Sequence, residues 1–147
     1  MFSAACETAL RLLTFAAAHA PDAKRLSITD LAIATDTPQA YAAKILQILS
    51  RKGLLSSVKG PHGGFYLDER QSKQVTAYDV VEAIDGLSMF KTCMLGLRDC
   101  SHDHPCPMHH EFLQIRNQLE IALKQTTLKA LAERYQSGRH FVSLASL

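Results

Sequence analysis

Residues 27–67 constrain the fold of this chain more than any other stretch. Ser27 precedes Ile28 to Thr35, in which Ile28, Leu31 and Ala32 recur at helical spacing, so a hydroxyl-capped short helix is predicted there. Asp36-Thr37-Pro38 then makes a turn, and a second helix runs from the proline to about Lys52, stopped by Gly53. On that second helix Tyr41, Ile45, Ile48 and Leu49 form one apolar face, with Gln39, Lys44, Gln47 and Arg51 largely elsewhere. Two strand-like runs follow, Leu54 to Val58 and Phe65 to Leu67, on either side of Gly60-Pro61-His62-Gly63-Gly64. That pattern is a β-hairpin with a glycine-rich tip. Short helix, turn, helix, hairpin is the order of a winged helix-turn-helix.

The flanking segments extend this plan. Residues 3 to 19 carry Leu10, Leu12, Leu13 and Phe15 among few charges, which predicts a mostly buried first helix closed by Pro21-Asp22. Thr76 caps a helix from Ala77 to Ile84, and Gly86 closes it. Pro107 suits the first turn of a long helix on which Met108, Phe112, Ile115, Leu119 and Ala122 alternate at spacings of four and three. A core helix would explain that seam, but its length and heptad-like period fit a dimerisation helix better. A last helix covers Leu128 to Tyr135. The expected fold is mainly α with a small β-hairpin wing. Residues 1–88 would form a winged helix-turn-helix DNA-binding domain, 89–106 a cysteine loop, 107–136 a dimerisation region and 137–147 a C-terminal tail.

Charge distribution agrees with a nucleic-acid surface on the hairpin side. The net charge of +2 is too small to argue from. Between Thr37 and Gly64, however, Lys44, Arg51, Lys52 and Lys59 meet no acidic residue, whereas residues 76–147 hold seven basic and eight acidic side chains. A basic patch confined to one segment is the footprint of phosphate contact. The candidate DNA-contacting residues are Gln39, Ala40, Tyr41, Lys44, Arg51 and Lys52 on the second helix, and Lys59, Gly60, His62 and Gly63 on the hairpin. No apolar run approaches the ~18 residues a bilayer span requires. The N-terminus has no basic leader and carries Glu7 in its apolar stretch, so it reads as a helix and not a signal peptide. A cytoplasmic location and no membrane partner are expected.

In that reducing setting clustered cysteines favour metal or redox chemistry over disulfides. Three of the four cysteines, Cys93, Cys100 and Cys106, lie in KTCMLGLRDCSHDHPCPMHHEF. Zinc knuckles normally pair cysteines two to four residues apart, and these gaps are wider. Wider gaps suit an iron–sulfur cluster, whose irons need ligands at separated corners. A zinc site and uncoordinated thiols remain alternatives. The fourth ligand is expected to be Glu7, with His109 as the alternative and His102, His104 and His110 nearby. Cys106, ahead of the long helix, is expected to be the thiolate favoured by the helix dipole. Cys6 reads as a helix-packing residue.

The opening FSAACETALRLL, the hairpin GLLSSVKGPHGGFYL, the helix TAYDVVEAIDG, the cysteine triplet and the late TTLKALAER together resemble the Rrf-two family of bacterial regulators over nearly the whole chain. The resemblance implies a homodimer with winged-helix DNA-binding domains and crossed long helices. It also implies an iron–sulfur cluster on Cys93, Cys100 and Cys106. Glu7 falls where one branch of the family has a carboxylate ligand donated by the partner subunit, and His109 where another has a histidine. The first cysteine gap is six residues against the family's more usual five, and the carboxylate is glutamate instead of aspartate. A two-iron and a four-iron cluster both stay open.

The expectation is therefore a homodimeric transcriptional regulator, a repressor, that binds a palindromic stretch of double-stranded DNA and senses redox, nitric oxide or iron–sulfur status. The runner-up uses the same cysteines as a thiol switch or zinc site. A redox enzyme or electron carrier fits least: no phosphate-binding loop or dinucleotide fingerprint occurs, and no general acid–base pair is placed.

Overall fold

A computed structural model describes residues 1–22 and 24–138. Its order is α1 (Ala4–Ala18), α2 (Ile28–Ala34), α3 (Gln39–Arg51), β1 (Ser56–Val58), β2 (Gly64–Tyr66), α4 (Glu69–Gln74), α5 (Ala77–Ile84), α6 (His109–Gln125) and α7 (Leu128–Gln136). The molecule is mainly helical with one two-stranded antiparallel hairpin, the fold class expected.

Caps written in the sequence set most helix starts. Ser27 Oγ accepts from the Asp30 amide while the Asp30 carboxylate takes the Ser27 amide, and Thr76 with Asp79 repeats the pattern. Such reciprocal boxes satisfy amides that no helical carbonyl reaches. The α2–α3 turn is held by buried hydroxyls: Thr35 Oγ1 donates to the Leu31 carbonyl at 2.8 Å and lies 3.0 Å from Thr37 Oγ1. Between them Asp36 takes a positive φ of 47°, a conformation that aspartate tolerates better than most residues.

The core is a leucine cluster in which α1 is central. Leu12, Leu13, Leu31, Leu46, Leu49, Leu55, Leu67 and Val80 are fully buried within it. Burying each such side chain contributes roughly 1.5–3 kcal/mol. Helix α7 returns to α1, where Leu128 and Ala132 join the same cluster, and Gln136 Nε2 donates to the Ala18 carbonyl at 2.9 Å. A bridge between Thr76 and Thr127 pins the starts of α5 and α7 together.

The hairpin pairs Ser56 with Tyr66, Ser57 with Phe65 and Val58 with Gly64. Its first strand is shorter than expected, because Leu54 donates its amide to the Leu49 carbonyl and so finishes α3 instead of starting the strand, and its second is shifted one residue earlier. Leu26 adds a third element: its amide and carbonyl both bond Phe65, each at 2.8 Å. That approach needs glycine at 64, whose φ is +147° and where a Cβ would meet the Leu26 carbonyl oxygen at 2.7 Å.

Two boundaries differ from expectation. Helix α4 has no counterpart in the expected plan, although Asp68 and Gln71 cap it reciprocally. Helix α6 begins at His109, so Pro107 sits in the preceding turn, closed by the His109 amide on the Cys106 carbonyl. The expected seam of α6 also splits: Phe112 and Leu119 are half-buried, while Met108, Ile115 and Ala122 are exposed. Of the tail, residues 139–147 lie outside the described residues.

Candidate nucleic-acid interface and metal centre

Helix α3 and the wing form one face. On α3 the apolar positions Ala42, Ile45, Leu46 and Leu49 are buried against the core, which turns Gln39, Ala40, Lys44, Gln47 and Arg51 outward. Lys52 caps its C-terminus and is exposed, while Tyr41 is half-buried and packs against the core. Lys59, Gly60 and His62 are exposed on the wing and Gly63 is half-buried. Gly63 is required by contact: a Cβ there would sit 2.1 Å from the Val58 carbonyl oxygen.

Between α3 and the wing runs a groove of about 710 Å³ lined by Ser27, Gln47, Ser50, Arg51, Ser57 and Lys59, among others. Sequence reasoning missed Ser50 and Ser57, whose hydroxyls meet at 3.0 Å and tie α3 to β1. It also missed Arg25, whose Nη1 donates to the His62 carbonyl at 3.2 Å and holds the wing tip. Strand alternation could have found Ser57, which points outward between Ser56 and Val58. No local signal marks Arg25, since its partner is 37 residues away.

The three cysteines of the 88–108 segment converge. Their Sγ atoms all lie within 4.8 Å of one another, the one metal-ligating group of this kind among the described residues. Cys93 and Cys106 are 3.6 Å apart. His109 reaches the trio through Cys100, with Nδ1 at 3.2 Å from that sulfur, and its Nε2 is buried without a hydrogen-bond partner. Glu7 does not join the group: it is exposed in the first turn of α1. His102 stacks edge-on to His109 at 5.2 Å and His110 at 5.3 Å, but both are exposed.

Electrostatics single out a different thiol from the one expected. The Leu97 backbone amide, aided by that of Leu95 and by the neighbouring thiols, outweighs desolvation and brings Cys93 down to about 7. Cys106 is instead raised, chiefly by desolvation, which outweighs the opposing pull of the Met108 amide, with the adjacent thiols adding smaller pushes upward. The dipole argument fails because α6 starts three residues beyond Cys106. Desolvation, with the charges of His102, His110 and Arg116, lowers His109 and so favours the neutral imidazole, the form that can donate a lone pair. Cys6 is fully buried and is pushed up to about 12 by that burial, with Asp85 and Glu7 adding.

Soft thiolates beside a neutral imidazole are a donor set for zinc, copper(I) or an iron–sulfur cluster. The donor chemistry therefore fits the group that the cysteine pattern suggests.

The model of the Rrf2 family, described as an iron-dependent transcriptional regulator, matches residues 2–134. The chain belongs to the Rrf2 family. A relative from Aquifex aeolicus (strain VF5), named as an HTH-type transcriptional regulator, is 32% identical over 108 residues, 72% of this chain and 74% of its own. CymR, the global cysteine regulator of B. subtilis, superposes with a TM-score of 0.77 at 21% identity, over 91% of this chain and 97% of its own. IscR of T. potens gives 0.74 at 16% identity, over 95% and 91%. These two likenesses are of fold. Membership of Rrf2 makes this chain a DNA-binding transcriptional regulator and not an enzyme. No helix among the described residues is long and apolar enough to cross a membrane.

Proposed function

We propose that this Rrf2 protein is a homodimeric repressor whose hold on a palindromic operator depends on an iron–sulfur cluster bound by Cys93, Cys100 and Cys106. The observation that carries the reading is the convergence of those three sulfurs on one site, with His109 against Cys100, in a chain matching a family described as iron-dependent. His109 is the fourth donor that one chain supplies; Glu7 would have to come from a second copy. When bound, such a group supplies a centre open to oxidation, nitrosylation or loss. The chain's own residues relay that state. The sulfurs fasten the 88–108 segment to the start of α6, α6 packs on α5, and α5 packs on α3. Residues 1–88 then act as the reading domain, 89–106 as the sensor loop and 107–136 as the region that sets the spacing of two recognition helices.

A second reading has its own support. A tetrahedral zinc–thiolate site, with Zn–S of about 2.3 Å, sets neighbouring sulfurs about 3.8 Å apart, close to the 3.6 Å between Cys93 and Cys106. The fold likeness to a global cysteine regulator also admits a thiol switch.

Anaerobically purified protein, assayed for iron, acid-labile sulfide and zinc, separates these readings. The cluster reading expects iron with sulfide, a visible chromophore lost in each of C93S, C100S and C106S, and a gel shift on the protein's own promoter region that changes on cluster removal. Zinc without sulfide would replace it with the second reading.

A further inference from the structure

Arg116 is a charged side chain that the pattern of α6 does not explain. It is only 8% exposed, whereas the flanking positions 114, 115, 117 and 118 face outward. Nη1 donates to the Thr92 carbonyl at 2.7 Å, and Cζ lies 5.7 Å from the centre of the Phe112 ring. Nε is buried without a hydrogen-bond partner. Ion pairs among the described residues join Lys73 to Glu69, Lys124 to Glu120 and Lys129 to Glu133; none includes Arg116. A guanidinium cannot neutralise itself by losing a proton, and a buried charge without a partner is costly. What shares its surroundings is sulfur, together with a second, more exposed cation, Lys91. Arg116 lines the same recess, of about 30 Å³, as Cys93, Cys100, Cys106 and His109.

We infer that Arg116 is the built-in countercharge of the three-cysteine site and, through Thr92, the residue that positions Cys93. The inference rests on the proposed function in one respect, that the sulfurs bind as thiolates. Three thiolates around a divalent ion leave net negative charge, as they do around an iron–sulfide core. A fixed cation beside them favours the assembled site and raises its reduction potential. The hydrogen bond to Thr92, one residue before Cys93, holds that ligand's backbone in place, while residues 93–108 carry no helix or strand.

The test compares R116Q, which keeps a donor and drops the charge, with R116K, which keeps the charge and drops the fork. Metal-free full-length protein is titrated with cadmium and followed by its thiolate charge-transfer absorbance. In parallel, reconstituted protein is titrated for its reduction midpoint. R116Q is expected to bind cadmium about tenfold more weakly, the effect of one nearby charge on an ionised group, and to show a lower midpoint. R116K is expected to stay within about twofold of wild type on the same scale. Wild-type affinity in R116Q, or an equal loss in R116K, overturns the countercharge, as does a wild type that binds no cadmium. Should R116Q fail to fold, R116K decides alone: near-wild-type affinity supports the charge role and a tenfold loss defeats it. A wild type lacking iron and sulfide would defeat the cluster reading only, because the cadmium titration reads the same sulfurs without it.

Discussion

At the scale of single residues, the four cysteines share one chemistry and differ in what surrounds them. Cys6 is enclosed by α1 and the core, and its thiol is pushed up to about 12. Cys93 sits under two loop amides at about 7. The thiolate is the nucleophile, so alkylation of metal-free protein should strike Cys93 first and leave Cys6 intact until the chain unfolds. Because a lowered pKa enlarges the thiolate fraction near neutrality, the Cys93 rate should fall about tenfold between pH 8 and pH 6. Mass mapping of a timed iodoacetamide reaction checks both; early labelling of Cys6 would contradict the packing described. The sequence located the trio but chose the wrong activated thiol. Helix dipole strength depends on where α6 begins, and the amides of Leu95 and Leu97 act through loop geometry that spacing does not encode.

At the scale of elements, the wing is a device for bringing a basic tip close to a groove. Lys59 supplies charge, while Gly63 lets the chain pass the Val58 carbonyl. Two substitutions should therefore fail differently. K59A should weaken operator binding and flatten the dependence of log affinity on log salt by about 0.9 for each phosphate it no longer neutralises. G63A should weaken binding through a displaced tip, with the salt slope nearly unchanged. Fluorescence anisotropy over a salt series distinguishes them, and identical slopes for K59A and wild type would remove Lys59 from the phosphate-contacting set. The same elements show what local pattern makes legible. Ser27, Thr76 and the Gly60–Gly64 tip announced their elements because caps and turns are short-range chemistry. Helix α4 was equally local, its Asp68–Gln71 box being visible in DERQ. The Leu26–Phe65 bonds and the Arg25 clamp join segments far apart in the chain, so no window along it contains both partners.

At the scale of the whole molecule, α6 leaves large apolar side chains uncovered in one chain. Ile115 is 55% exposed and Ile121 54%, with Met108 and Ala122 also exposed. The other side of the helix is occupied: Phe112 is half-buried beneath the Arg116 guanidinium, and α6 packs on α5. Ile115 and Ile121 lie about 120° apart around the helix by its 3.6-residue period, at the two edges of an outward half that also carries Gln114, Gln118 and Gln125; a second copy of the same helix would cover that half, as isologous contacts require. The core itself does not depend on it, since Leu12, Leu13, Leu46, Leu49 and Leu128 are buried by α1, α3 and α7. On the proposed homodimer, I115E with I121E should yield a folded monomer with the wild-type helical signal, seen as halved mass in sedimentation. Its operator affinity should drop by about 100-fold or more, because two half-sites would no longer be held by one linked pair of reading modules. Its three sulfurs should still bind cadmium, since Cys93, Cys100, Cys106 and His109 belong to one chain. A double variant that keeps the mass and operator affinity of the wild type would show that the subunits meet elsewhere, and α6 would then owe its exposed isoleucines to some other contact.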